Sequence, residues 1–439
     1  MPSTEVRATP SLRRELGPWD LTAIGVNQVI GGAVFSLPAV IAANTGAWSP
    51  WMVGAIGIVS MLIALTFAEV ASRFEATGGP YLYTKAAFGR FAGFEVGWML
   101  WFTRATSWAA VTNIVVASLG FYWTGITTGL PRAILITTLI TILAAINIRG
   151  IRQSSFVVNG LTIGKLLPLA IFIVTGMWFV DWARLELGTI PSATNLSASA
   201  LLLIYTFGGY EIVPVPGGEA RNPRRDIPFA LIMTIVIVAV VITLAQVVCV
   251  GTLPGLSASK TPLADAAAAF LGAGGAAMIT ICAVISVTGA SMGGALSGSR
   301  NLFALAEQGD LPALFGYVHP QFRTPVVAIL ITSGVTLTLA LTGTFQSMAT
   351  VSAISRLVVY VGTCVSTLRL RSRRFEGVVN PAAFVVPLGA TIPIAAIVIA
   401  LAVLAGASSI QLRNGALALI AGAVLYVIAV RGRRSNPEI

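Results

Sequence analysis

Charge is scarce in this chain. Asp, Glu, Lys and Arg make up 10% of its 439 residues, where a soluble domain carries about 25%. Histidine occurs once, at His319, and cysteine three times, at Cys249, Cys282 and Cys364. One imidazole and three scattered thiols make no metal cluster, no disulfide framework and no catalytic triad. With no nucleophile, metal or acid–base constellation, an enzyme is not expected, and neither is a cofactor. No hydrophilic stretch is long enough for a separate soluble domain. The first 20 residues lack the basic start, short apolar core and small-residue exit of a cleaved leader.

What the chain has instead is apolar length. Apolar residues account for 56% of it, and its mean hydropathy is +0.88. Runs long enough to cross the hydrocarbon core of a bilayer, about 20 residues each, recur from end to end. Twelve spans are predicted, over roughly 21–43, 47–71, 92–124, 131–147, 155–180, 199–218, 228–253, 264–306, 326–343, 346–368, 384–405 and 413–430. The net charge of +11 resembles that of a nucleic-acid binder, but its distribution excludes that class. With the N-terminus inside, twenty of the 27 basic residues fall in cytoplasmic segments, from Arg7 to Arg434. Only Arg132, Arg184, Lys260 and Arg413 fall on the other face, and Arg104, Lys165 and Arg356 fall within spans. Such asymmetry puts both termini in the cytoplasm of a multi-pass inner-membrane protein, with anionic lipid headgroups as neighbours. Trp19, Trp48, Trp51, Trp178 and Trp182, near span ends, read as interface anchors.

Two spans are interrupted by glycine. The first reads Gly25-Val26-Asn27-Gln28-Val29-Ile30-Gly31-Gly32-Ala33-Val34-Phe35, the second Tyr205-Thr206-Phe207-Gly208-Gly209-Tyr210-Glu211. Paired glycines free the backbone to unwind, and in a bilayer that is tolerated only where protein or a wet cavity satisfies the polar groups. Broken spans in corresponding positions of two halves point to a transporter's binding site. The spacing predicts an inverted repeat of spans 1–5 (21–180) and 6–10 (199–370), then two further helices over 384–430, between cytoplasmic tails at 1–20 and 431–439.

At such a site, amides around Gly31, Gly32 and Ala33 at the start of a half-helix suit a substrate carboxylate. Carbonyls ending the preceding half-helices, at Ile30, Phe207 and Gly208, suit an α-ammonium, with Gly209 continuing the second break. A free amino acid supplies both groups. Side-chain selection is expected from Phe207, from Thr103 and Ser107 in span 3, and from Ser286 and Thr288 in span 8.

The loop signals complete a pattern. Gly78-Gly79-Pro80-Tyr81 follows span 2, and Glu219…Asn222-Pro223…Asp226-Ile227-Pro228 follows the second break. Arg300…Gly309-Asp310-Leu311-Pro312 leaves span 8 and is followed by Thr324-Pro325. Together with the two breaks, these motifs cover residues 17–370 in order, and the chain resembles the amino acid–polyamine–organocation superfamily, within it the bacterial amino acid permeases. The resemblance implies an all-α membrane fold of the leucine-transporter type, five plus five helices with spans 1 and 6 lining a central site. It departs from the pattern at Ala33, where members usually have a second glycine; the methyl narrows the approach to the backbone.

Lys165 lies about ten residues into span 5. An ammonium at that depth usually faces a cavity or partner, which favours a functional role over snorkelling to water. In the resembled permeases a lysine here takes the place of a sodium ion and bonds to carbonyls of the unwound span 1. Carried over to Lys165, this implies sodium-independent transport, by proton coupling or exchange. Glu211 reads either as a gating or proton-carrying carboxylate or as a structural acid capping loose amides. Arg104 and Arg356 either bind a substrate carboxylate or pair with Glu211, Glu95 or a helix end; pairing is the commoner fate of intramembrane charges. Asn27 and Gln28 are expected to bond neighbouring helices, and Glu69 to pair with a loop arginine. The glycines at 289, 293, 294 and 298 suit close helix packing.

Four readings of function are open to such a chain. A secondary carrier of amino acids fits the breaks, Lys165 and the motifs. A carrier of amines, polyamines or other organic solutes shares the fold, but polyamines call for extra acids and the surplus charges here are basic. A channel needs a repeated filter sequence, which is missing, and a nutrient sensor lacks a signalling domain. Flux separates a carrier from a sensor.

Overall fold

A computed structural model describes residues 14–120, 123–149 and 155–434. The expected tail positions 1–13 and 435–439, with Arg7, Arg13 and Arg152, lie outside them. Among the described residues the protein is nearly all helical, and its only extended pairing is two isolated bridges. Among the described residues fourteen α-helices follow one another. They are α1 Pro18–Val29, α2 Ala33–Thr45, α3 Ser49–Ala71, α4 Pro80–Phe88, α5 Arg90–Gly120, α6 Gly129–Ile148 and α7 Ser155–Met177. The second half comprises α8 Ala193–Phe207, α9 Pro223–Thr252, α10 Pro262–Glu307, α11 Val326–Thr342, α12 Phe345–Leu370, α13 Thr391–Ala405 and α14 Ser409–Arg434. Proline opens α1, α4, α9 and α10 at positions whose N–H would be idle in any case.

Seven helical stretches are long and apolar enough to cross a bilayer: Ala33–Ala71, Gly129–Ile148, Asn159–Met177, Pro223–Thr252, Pro262–Glu307, Phe345–Leu370 and Ser409–Arg431. Val326–Thr342 and Thr391–Ala405 are shorter apolar helices. Outside both sets stand α1, α4, α5 and α8; α1, α5 and α8 share the polar centre described below with α7, α10 and α12. Large apolar side chains face outward, among them Leu130 and Ile134 on α6, Val174 on α7 and Ile281 on α10. An apolar exterior of this kind suits lipid.

Both predicted breaks are present. Helix α1 ends at Val29 and α2 starts at Ala33, with Gly31 and Gly32 between. Helix α8 ends at Phe207, Gly208 is extended, and Gly209 takes φ +135°, a conformation that favours glycine. Span 6 does not regain a regular helix. It continues as short 3₁₀ turns at Tyr210–Ile212 and Gly217–Glu219, where Pro214 and Pro216 withhold amide donors. Span 8 also differs from expectation: Gly272 at φ +65°, ψ −160° separates the first turns of α10 from the rest. Gly25 brings α1 against α9 closely enough that a Cβ would strike Thr234 and Val213.

The loop motifs meet on the basic face and lock it. Gly78 N donates to the Val215 carbonyl at 3.2 Å, tying the loop after α3 to the tail of the second break. Buried Asp310 accepts from Tyr81 Oη at 2.8 Å and from Arg90 Nη2 at 2.6 Å. Burial and that carboxylate push the Tyr81 phenol above its ordinary range, so Tyr81 stays a neutral donor. Glu69 is fully buried and, as expected, meets an arginine. Arg371 Nε and Nη2 each bond one of its oxygens at 2.6 Å, and Val386 N adds a third contact at 2.9 Å. Residues Glu15 and Leu16 donate to the Glu219 carbonyl, each at 3.0 Å.

Removing one partner of a buried, fully bonded pair costs about 3–5 kcal/mol, whereas an exposed pair is worth about 0–1 kcal/mol. Glu69→Ala is therefore expected to lower the thermal midpoint in detergent clearly. Arg14→Ala, which removes the exposed Arg14–Glu75 pair, should leave it nearly unchanged. Equal effects of the two substitutions would show that the Glu69 cluster does not hold the basic face together.

Candidate functional site

The two breaks line one cavity. Its walls are Gln28, Val29, Gly31, Gly32 and Ala33 from the first break and Tyr205, Thr206 and Gly208 from the second. Helix α5 contributes Arg104, Ser107, Trp108 and Val111, α10 contributes Ala290 and Gly294, and α12 contributes Arg356. The four α5 residues recur at intervals of three and four, one face of a helix. The cavity holds about 40 Å³, room for a few waters at about 10–15 Å³ each.

Helix α2 begins at this cavity without a side-chain cap, so its first amides have no partner within the helix. The amides of Gly32 and Ala33 thus face the site with the positive end of the helix dipole. Gly31 is spoken for, because its N–H donates to the Val29 carbonyl at 2.8 Å. Gly32 is required by space: a Cβ would approach Ile114 Cδ1 to 2.7 Å and Val287 Cγ2 to 3.0 Å.

The negative end of α1 is occupied by an ammonium. Lys165, wholly buried on α7, donates from Nζ to the carbonyls of Asn27 at 3.0 Å and Ile30 at 3.1 Å. Ser286 Oγ donates to the same Ile30 carbonyl at 2.8 Å. Three donors thus hold the two carbonyls where α1 stops.

At the second break, Glu211 is fully buried between two arginines. Arg104 Nη2 lies 2.6 Å and Arg356 Nε 3.2 Å from the same carboxylate oxygen. The other oxygen accepts from Gly209 N at 2.8 Å and Tyr360 Oη at 3.3 Å. Arg356 Nη1 also bonds the Tyr205 carbonyl at 3.1 Å, at the end of α8, and Nη2 reaches Ser107 Oγ at 3.4 Å. The guanidinium lies across Gly208, where a Cβ would overlap Nη1. Ser107 in turn meets Ser352 of α12 at 2.8 Å.

Several predicted residues stand elsewhere than expected. The Phe207 ring lies against Gly57 of α3, its Cζ 3.3 Å from where a Cβ there would sit, so it does not line the cavity. Ser286 serves the backbone of the first break, and Thr288 is exposed on α10. Thr103 Oγ1 is satisfied by the Met99 carbonyl of its own helix. The Ile30 carbonyl already takes two donors and the Gly209 amide serves Glu211, so neither is free for a ligand. Glu95 pairs with neither arginine; both of its carboxylate oxygens are buried without a hydrogen-bond partner. Sequence reasoning missed Trp108, Tyr205, Thr206, Ala290 and Tyr360. Tyr360 had a signal, since Ser352, Arg356 and Tyr360 are spaced by four on α12 and share a face.

Comparison with known proteins agrees with this geometry. A family model described as amino acid permease matches residues 16–430. A serine/threonine exchanger of Bacillus subtilis is 29% identical over 398 residues, covering 88% of this chain and 89% of its own. An uncharacterized transporter of Mycobacterium tuberculosis is 30% identical over 366 residues, covering 82% and 81%. A methylthioribose transporter of Bacillus subtilis is 25% identical over 405 residues, covering 88% and 86%. These relatives are transporters rather than enzymes. A match to the family across nearly the whole chain, over helices interrupted at one shared cavity, makes this chain a member of the amino acid permease family.

Proposed function

We propose that this permease is a secondary carrier that moves amino acids by alternating access, independently of sodium, with proton coupling or exchange as its drive. The reading includes about twelve crossings arranged as two inverted five-helix repeats, 21–180 and 199–370, and both termini on the cytoplasmic side. The observation that carries it is that a single buried cavity meets both helix breaks. Free amides of Gly32 and Ala33 receive the α-carboxylate, and the backbone around Thr206 and Gly208 receives the α-ammonium. The basic face is sealed by the Glu69 and Asp310 clusters. Val111, Ile114 and Val287 form an apolar cluster with Val115 and Phe345 against it, and Arg356 lies over Gly208.

Lys165 supports the sodium independence. Its ammonium fills the carbonyl pair at the end of α1, the place where a monovalent metal ion would be bound. Loss of its proton would turn both charge-assisted hydrogen bonds into weaker neutral ones and loosen α1 from α7, which is a route from protonation to gate position. Polyamines fit poorly, because Arg104 and Arg356 repel a polycation.

Uptake of a radiolabelled amino acid mixture into proteoliposomes, in sodium-free buffer, tests the reading. Saturable uptake or counterflow is expected, with no increase on adding sodium. A several-fold stimulation by sodium would contradict the role given to Lys165, and absence of amino acid flux under every gradient and counterflow condition would remove the amino acid assignment.

Lys165→Ala withdraws two hydrogen bonds from a charged donor, each worth about 1.5–3 kcal/mol. Transport is expected to fall by at least about tenfold, the equivalent of about 1.4 kcal/mol, and to lose its response to an inward proton gradient. A variant that is well folded and fully gradient-responsive would place coupling elsewhere.

A further inference from the structure

We infer that the preferred substrates are amino acids with an acidic side chain, of the aspartate and glutamate class, and that Arg356 is the residue that selects them. The inference rests on the amino acid permease reading and sharpens its substrate.

It begins with a charge imbalance. Arg104 and Arg356 are two buried guanidiniums sharing one carboxylate, Glu211. The end of α8 gives Arg356 the Tyr205 carbonyl, but a helix terminus offers only about half an elementary charge. The ammonium of Lys165 draws on a different terminus, that of α1, and so does not alter this balance. A positive remainder is left buried beside the cavity, and an uncompensated buried charge is strongly unfavourable. A zwitterionic substrate brings no net charge to offset it. An amino acid with a second carboxylate brings one negative charge.

The unmet hydrogen bonds point the same way. Among the residues lining the cavity, Arg104 Nε and Trp108 Nε1 are buried without a hydrogen-bond partner, and Arg356 Nε has only its 3.2 Å ion-pair contact with Glu211, without a well-aligned hydrogen bond. All three are donors. The opposite wall, at Gly32 and Ala33, also offers donors, from the start of α2. A ligand matching the site therefore presents acceptors at both ends: an α-carboxylate toward α2 and a side-chain carboxylate toward the arginines.

Arg356 is the arginine with the longer individual contacts. Arg104 holds Glu211 at 2.6 Å, while the contacts of Arg356 are longer, at 3.1 Å to Tyr205 O, 3.2 Å to Glu211 and 3.4 Å to Ser107 Oγ, two of them to neutral acceptors. The cavity has room for a few waters, and the Arg356 guanidinium that lies across Gly208 bounds it, so a bound amino acid with a long side chain meets this group. A side-chain carboxylate gives it a charged partner, with the bidentate geometry a guanidinium favours.

Counterflow in proteoliposomes with labelled L-glutamate and labelled L-serine tests this, with each unlabelled amino acid as competitor. Glutamate or aspartate is expected to be taken up at least about tenfold more efficiently than serine, a difference equivalent to about 1.4 kcal/mol. Arg356→Gln should reverse that preference, while Arg356→Lys retains part of it. A monodisperse size-exclusion profile and an unchanged thermal midpoint in detergent serve as the folding control for Arg356→Gln. If serine or other neutral amino acids move and neither acidic amino acid moves or competes, the inference falls while the permease reading stands. If the wild type moves no amino acid at all, both fall. Wild-type selectivity decides the matter even where Arg356→Gln fails to fold.

Discussion

A backbone that stops being helical inside hydrocarbon must have its freed amides and carbonyls satisfied from elsewhere, and most of this site's chemistry follows from that requirement. Each break leaves one set of carbonyls and one set of amides. The carbonyls ending α1 are met by Lys165 and Ser286, and the Tyr205 carbonyl near the end of α8 by Arg356. Gly209 N is met by Glu211. The amides of Gly32 and Ala33 at the start of α2 are left for a ligand. Three of the four termini at the breaks are thus capped by side chains, two of them from other helices and one, Gly209 N, by Glu211 of the break itself. Binding, charge and gating become properties of one set of contacts rather than separate features added to a scaffold.

Using charged groups as caps has an electrostatic consequence. Each cationic cap is longer and stronger than a neutral one and can reach across from a neighbouring helix, but it brings a full charge to a place where a helix end supplies about half of one. Glu211 absorbs part of the excess. It is itself locked by four contacts, which leaves it no spare acceptor and makes a structural role sufficient to explain its burial. The arginines are where the excess remains. A capping arrangement that is slightly over-charged is tuned to an anionic ligand without any residue having been placed solely to bind one, and the same arrangement makes a polycation a poor fit.

Much of this was legible in the sequence, and the reason differs by residue. Gly31, Gly32, Gly208 and Gly209 interrupt long apolar runs, and consecutive glycines have few uses there other than an interruption. Lys165 is legible because an ammonium ten residues into a span must find acceptors, and the nearest broken helix supplies them. Glu69 needed an arginine, and the basic loops were full of them. The azimuth of side chains was not legible. Once α8 breaks, helical periodicity no longer says where Phe207 points, and its ring turns to the space left by Gly57. Ser286 and Thr288 are two apart on α10, so they cannot share a face, and periodicity alone does not say which of them faces inward. Pairing was the favoured expectation for Arg104 and Arg356, but that both meet Glu211 rather than Glu95 or a helix end was not legible, because sequence separation of more than a hundred residues carries no register.

The small residues of α10 tie these levels together. A Cβ on Gly293 would collide with the Gln28 side chain, and one on Gly289 would lie 3.3 Å from Asn27 Oδ1 and 3.4 Å from Lys165 Nζ. The stripe that reads as plain helix packing is therefore what lets α10 approach the first break closely enough for Ser286 to reach the Ile30 carbonyl. A larger side chain at Gly289 would press on the lysine and on the helix end it caps in the same motion. Close packing here is not separate from the polar site, because it sets the distance over which the charged cap of α1 acts.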